Sequence, residues 1–124
     1  MKIAFYGTLM RGFRAQGLLQ VEAALRYEGV CRISGVLWDL GPYPGLTEGG
    51  GAVRGEVFAI LDEGVLEKLD EFEGDEYVRR QVTLLEPQTE AWVYVLAQAP
   101  AGAKPIESGC WRTHALTRGA RRSS

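Results

Sequence analysis

Strand-like runs follow one another along this sequence with little helix between them, and that order excludes a doubly wound parallel sheet. Parallel neighbours need a crossover of a dozen or more residues between strands, usually a helix. Here KIAFY (2–6) reads as a short strand ending in a glycine turn. VCRISGVLWDL (30–40) alternates as a strand with a bend at Gly35, and GGGAVRGEVFAI brings a flexible turn and then a strand over 53–60. VRRQVTLL (78–85) and AWVYVLA (91–97), separated by EPQTE, suit a hairpin or meander. GPYPGL (41–46) is rich enough in proline and glycine to be an ordered loop. From about Gln98 the sequence is loop-like, with an ordered patch around IESGCW.

Two segments carry helical signals. A glycine-interrupted candidate lies near 16–26; a stronger one takes Asp62 as N-cap, runs from Glu63 through Glu73 and stops at Gly74. The pattern predicts an α+β fold, a barrel-like, mostly antiparallel mixed β-sheet with one or two packed helices. At 124 residues, with 46% hydrophobic and 24% charged residues, the chain suits one compact domain with one core and one cleft. No repeat or linker divides it, so a single domain is expected over 1–118. A flexible basic tail is expected over 119–124, where Arg121 and Arg122 precede Ser123 and Ser124.

A formal net charge of −2 gives no general attraction to nucleic acid or to anionic membranes. No segment approaches the length of a membrane span, and Met1–Tyr6 reaches Gly7 without the apolar stretch of a signal peptide. Cys31 and Cys110 lack CxxC spacing, so neither zinc nor a dithiol couple is indicated, and free thiols in the cytoplasm are the expectation. There is no Walker lysine and no GxGxxG, and DEFEGDE lacks the ligand spacing of an EF loop. Neither a metal nor another cofactor is expected. Oligomeric state is not readable.

On the stronger helix Leu66, Leu69 and Glu73 fall at i, i+3 and i+7 and share one face. That face is apolar and turns inward, so Glu73 is a carboxylate on a buried stripe. Desolvation, the negative end of the helix dipole, and like charge from Asp70, Glu71, Asp75 and Glu76 all push its pKa upward. A carboxyl so raised can take and return a proton near neutral pH. The same acidic run also reads as a solvated helix end.

Directly after the first strand, Tyr6-Gly7-Thr8-Leu9 forms a turn. Gly7 permits a sharp change of direction with amides pointing outward, and Thr8 adds a hydroxyl. Such a nest holds a carboxylate without any lysine or arginine. Tyr43, in YPGL, serves either as a wall of that site or as loop packing. Trp38, Trp92, Tyr94 and Trp111 fill the core or line the cleft. Arg79 and Arg80 alternate on their strand, so only one of them faces inward. His114, the only histidine, lies in a polar C-terminal stretch with no nucleophile to pair with and reads as a surface residue.

Taken together these residues resemble the γ-glutamyl cyclotransferase and AIG2-like family. YGTLM (Tyr6–Met10) is similar to its substrate loop, and LDEFEG followed by YVR (Leu69–Gly74, Tyr77–Arg79) to the segment carrying its catalytic glutamate; the Tyr-x-Arg match makes Arg79, rather than Arg80, the candidate partner for the local acids. YPGL (Tyr43–Leu46), VRGEVF (Val53–Phe58) and IESGCW (Ile106–Trp111) extend the likeness over nearly the whole chain. The resemblance implies a cleft in a barrel-like fold, with Glu73 as general acid/base. Tyr6, Gly7, Thr8 and Leu9 would contact a γ-glutamyl substrate, and the products would be 5-oxoproline and an amine or amino acid. The alternative on the same fold is a non-catalytic domain that binds a small carboxylate or a protein partner.

Overall fold

The structure, a computed structural model, describes the backbone of residues 1–123 and the side chains of residues 1–117. Six strands form one mixed, curled sheet in the order β4-β5-β1-β3-β2-β6, a half-barrel with three helices. Strand β1 (Lys2–Phe5) is central, and Ile3, Ala4 and Phe5 are all buried. Such a run, apolar on both faces, is what a strand enclosed on two sides requires. It pairs antiparallel with β3 (Pro44–Ile60) and parallel with β5 (Glu90–Leu96), where Ile3 lies opposite Trp92. Strand β4 (Tyr77–Thr83) completes the expected hairpin with β5.

The longest pairing joins β2 (Leu25–Asp39) to β3. Two expectations are corrected here. Pro44–Leu46, expected in a loop, is paired with β2 from the Asp39–Pro44 partners onward; proline is tolerated because it is the first residue of the strand. The expected flexible turn at Gly49–Gly51 lies within β3. The register jumps from Ser34 opposite Ala52 to Val36 opposite Thr47, so the intervening residues bulge. Gly35 is the bend, at φ 150°, and a Cβ there would come within 2.6 Å of the Thr47 carbonyl oxygen.

The candidate helix near 16–26 is broken. Helix α1 (Ala15–Leu19) ends at Gln20, whose φ is 56°, and a short turn at Glu22–Ala24 leads into β2. Helix α2 (Val65–Glu73) starts later than Glu63. The Asp62 carboxylate accepts from the Gly64 amide at 2.9 Å, so it caps a preceding turn and Gly64 takes the N-cap. Gly74, at φ 79°, ends the helix as expected.

Beyond Gln98 the chain forms β6 (Lys104–Pro105) and helix α3 (Trp111–Ser123), which corrects the loop-like reading of this segment. The helix is placed by docking, because Ile106 and Trp111 are buried in the common core. The tail expected at 119–124 lies outside the described side chains. The core gathers Ile33, Leu37, Leu46, Leu69, Val93 and Trp111 between the sheet and the helices, each burial being worth about 1.5–3 kcal/mol.

Candidate active site

The sheet's curl brings the turn after β1 opposite the end of α2. Tyr6 leaves β1 buried, and its hydroxyl donates to the Tyr94 carbonyl on β5 at 2.7 Å. The Met10 amide closes the turn on the Gly7 carbonyl at 3.0 Å. Gly7 is needed for space more than for an unusual φ, since a Cβ would sit 2.8 Å from Pro44 Cγ. None of the hydrogen bonds among the described residues uses the amides of Gly7, Thr8 or Leu9 as donors.

The far side of the turn is tied down twice. Gln16 donates to the Leu9 carbonyl at 2.6 Å, and the Arg11 amide donates to Glu56 Oε1 at 2.7 Å. Glu56 is a buried carboxylate on β3, and Oε2 also faces Arg11 Nε at 3.6 Å and an Arg112 nitrogen at 3.4 Å. Sequence reasoning included Glu56 in a motif but gave it no role. An acid within the strand run VRGEVF, where neighbours face the core, was the available signal.

Opposite the turn stands Glu73. Leu69 is fully buried, Leu66 and Glu73 are half-buried, so the stripe faces inward as expected. Burial pushes the Glu73 carboxyl up to about 7. Desolvation accounts for the rise; the anticipated crowding by neighbouring acids does not. Asp70 is engaged elsewhere: Arg79 donates to its two oxygens at 2.8 and 3.2 Å, and the Tyr94 hydroxyl to Oδ1 at 2.7 Å. Hydrogen bonds from Arg79, against the opposing effect of burial and with help from Tyr94, hold Asp70 below the usual carboxylate range. Glu71, Asp75 and Glu76 are exposed, where water screens them.

Among the described residues, the Glu73 side chain makes no hydrogen bond or ion pair. Around it lie the phenols of Tyr6, Tyr77 and Tyr94, all pushed up first by burial, with smaller contributions from Tyr77 at Tyr6, from Asp70 at Tyr94 and from the Glu73 charge at all three, so they remain neutral donors near neutral pH. Tyr77 spends its hydroxyl on the Pro44 carbonyl at 2.7 Å.

Tyr6, Gly7, Thr8, Leu9, Tyr43 and Glu73 all line one cavity of about 440 Å³. Sequence reasoning missed Phe72 and Tyr77, which also line it; Tyr77 stood in the YVR motif, but the strand face it would present was not readable. Tyr94 lines it as well, while Trp111 is core. Among the described residues no lysine, arginine or histidine contributes to the wall. His114 is corrected from a surface residue: it is half-buried on α3, with Nε2 2.7 Å from Asp39 Oδ2. Among the described residues no group of three or more His, Cys, Asp or Glu could hold a metal, and no helix is long and apolar enough to cross a membrane.

Fold and site together define a small half-barrel protein with a half-buried carboxyl facing a turn of unpaired main-chain amides. The chain belongs to the γ-glutamyl cyclotransferase, AIG2-like family, whose model matches residues 3–113. It is 36% identical over 106 residues to a putative γ-glutamylcyclotransferase of Vibrio cholerae, covering 86% of this chain and 90% of that one. It is 43% identical over 77 residues to a γ-glutamylcyclotransferase family protein of Escherichia coli, covering 60% of this chain and 66% of that one. The crystal structure of an uncharacterized protein from Pyrococcus horikoshii superposes with a TM-score of 0.77 at 26% identity, covering 97% of both chains.

Proposed function

We propose that this protein is a γ-glutamyl cyclotransferase that closes a γ-glutamyl group to 5-oxoproline and releases an amine or amino acid. The observation that carries the proposal is Glu73: a half-buried carboxyl, raised to about 7 and without a cationic partner, in the same cavity as the Gly7–Leu9 amides. In this reaction the nucleophile and the electrophile belong to one molecule, so the protein's work is chiefly to hold the reactive conformer. The amides after β1 would take the substrate carboxylate, in keeping with a wall to which the described residues contribute no cationic side chain. The neutral phenols around Glu73 keep the reacting nitrogen in a shielded, weakly polar corner.

Glu73 as carboxylate takes a proton from the α-ammonium. The freed amine attacks the side-chain amide carbon, forming the ring C–N bond while charge collects on the carbonyl oxygen. The bond to the departing nitrogen breaks as Glu73 returns the proton there. The ring nitrogen loses a second proton by the same route, so the amine departs as an ammonium and charge balances. General acid/base help of this kind is worth about a hundred- to ten-thousand-fold.

The test is 5-oxoproline release from a panel of γ-glutamyl amines and dipeptides, with Glu73→Gln as control. Release by the native protein and none by the variant is expected; a fully active Glu73→Gln protein would refute the role of Glu73. Binding without release across the panel would instead favour a non-catalytic carboxylate-binding domain.

A further inference from the structure

On β4, Tyr77 and Arg79 are two apart and present the same face; on α2, Asp70 and Glu73 are three apart and share a face. The two faces meet in register. Asp70 stands against Arg79, and Glu73 lies within the electrostatic reach of Tyr77. Arg79 is the cation beside this pair, held between the two oxygens of Asp70 and the ring of Trp92, whose centroid is 4.3 Å from the guanidinium carbon. Asp70 also accepts the Tyr94 hydroxyl, and Tyr94 walls the cavity. One helical turn separates the carboxylate that has a cation from the one that, among the described residues, has none.

We propose that Asp70 is a positioning residue that acts through charge: by taking Arg79 it keeps the guanidinium off Glu73 and leaves that carboxyl without a cationic partner. Adjacent side chains at i, i+3 on a helix have Cβ atoms only about 5–6 Å apart, a span that a flexible arginine covers easily. If Asp70 were neutral, Glu67 and Glu73 would remain one turn away in either direction, and Glu73 is the one on the half-buried side that Tyr77 shares. The resulting ion pair would fix the base in its charged form and weaken it as a proton acceptor. The other groups facing Glu73 do not substitute for Asp70. Tyr6 from the turn after β1, Tyr77 from β4 and Tyr94 from β5 are neutral near neutral pH, Tyr43 contributes a phenol from the β2–β3 turn, and Glu76 carries the same sign as Glu73.

This inference deepens the proposed acid/base role of Glu73, and its test separates the two. The titration of Glu73 is followed by carboxyl carbon NMR in the native protein, Asp70→Asn, Arg79→Gln and the double variant. Asparagine keeps an acceptor for the Tyr94 hydroxyl, so shape is preserved while charge is removed. Asp70→Asn is expected to lower the Glu73 midpoint by about one pH unit or more, the size expected for a cation within hydrogen-bonding reach. Arg79→Gln, which leaves Asp70 as an unpaired like charge, is expected to raise it. The double variant is expected to return toward the native midpoint, with the acid limb of kcat/KM moving in step. A midpoint that is the same in all four proteins, or that shifts alike in Asp70→Asn and the double variant, would overturn the proposal and leave Asp70 a structural clamp. If Asp70→Asn does not fold, the upward shift in Arg79→Gln still decides. If the native protein releases no 5-oxoproline, the enzymatic role fails while the titration still tests the charge arrangement.

Discussion

Replacing Glu73 by glutamine should cost activity and add stability, and the size of the second effect depends on pH. The folded protein raises this carboxyl from 4.5 to about 7 through burial. A raised carboxyl binds its proton more tightly when folded than when unfolded. Its contribution to stability is therefore fully present below about pH 4.5 and is lost as pH rises through about 7. At about 1.4 kcal/mol per pH unit, keeping the charged form buried costs at most about 3.5 kcal/mol above neutral pH. The side chain is only half-buried, and solvent screening brings the effective figure to about 1–2 kcal/mol. Glutamine resembles the neutral acid, so it removes that cost. For a chain of this size, Tm of Glu73→Gln should exceed that of the native protein by roughly 3–8 °C near pH 8.5. Near pH 4, where both forms are neutral, the two should nearly coincide. Thermal unfolding by circular dichroism at the two pH values, with 5-oxoproline release alongside, is the assay. A difference in Tm that is independent of pH, or a destabilised variant at alkaline pH, would refute the argument that desolvation governs this group.

Gly7→Ala should lower stability by about 1–3 kcal/mol and raise KM, because a Cβ 2.8 Å from Pro44 Cγ must displace the turn or the start of β3; urea unfolding and steady-state kinetics check both. Glu56→Gln keeps an acceptor for the Arg11 amide but removes the charge facing Arg11 and Arg112, and should cost about 1–2 kcal/mol in the urea transition. An unchanged midpoint would show that this carboxylate does not anchor the turn. Iodoacetamide near neutral pH should label Cys110 and spare Cys31 in the folded protein, read by mass spectrometry. Burial, aided by Glu56, pushes the Cys31 thiol up to about 12. At Cys110 burial opposes ionisation, but the Thr113 hydroxyl and amide, with Arg54, outweigh it and lower that thiol.

The parts of this structure that were legible in the sequence are those governed by local pattern. The β4–β5 hairpin followed from two alternating runs, and α2 from its apolar stripe and terminal glycine. Glu73 stood out because a carboxylate on an apolar stripe has few innocent explanations. Helix α3 was not legible, since WRTHAL has almost no stripe and is held by docking of Trp111 and a cap in which Ser108 accepts from the Cys110 amide at 3.3 Å. The bulge at Gly49–Gly51 was hidden because glycines signal a turn as readily as a register jump. Arg79 was identified as a partner for nearby acids, but only the meeting of β4 with α2 selects Asp70 over Glu71, Glu73 or Asp75. Phe72 and Tyr77 entered the cavity wall through the curl of the sheet, which no local window encodes.

The parallel contact of β1 with β5 has a consequence for how the protein is made. The turn of amides at residues 7–9 is synthesised well before the strand that brackets β1 on its other side, which ends only at Leu96. Until that strand arrives, β1 has an open edge, and the Tyr6 hydroxyl lacks the Tyr94 carbonyl that orients it. The cleft therefore comes into being late, as a product of closing the sheet over most of the chain's length. Pairings so distant in sequence are slow to form, and they make the cavity an all-or-none property of the finished domain.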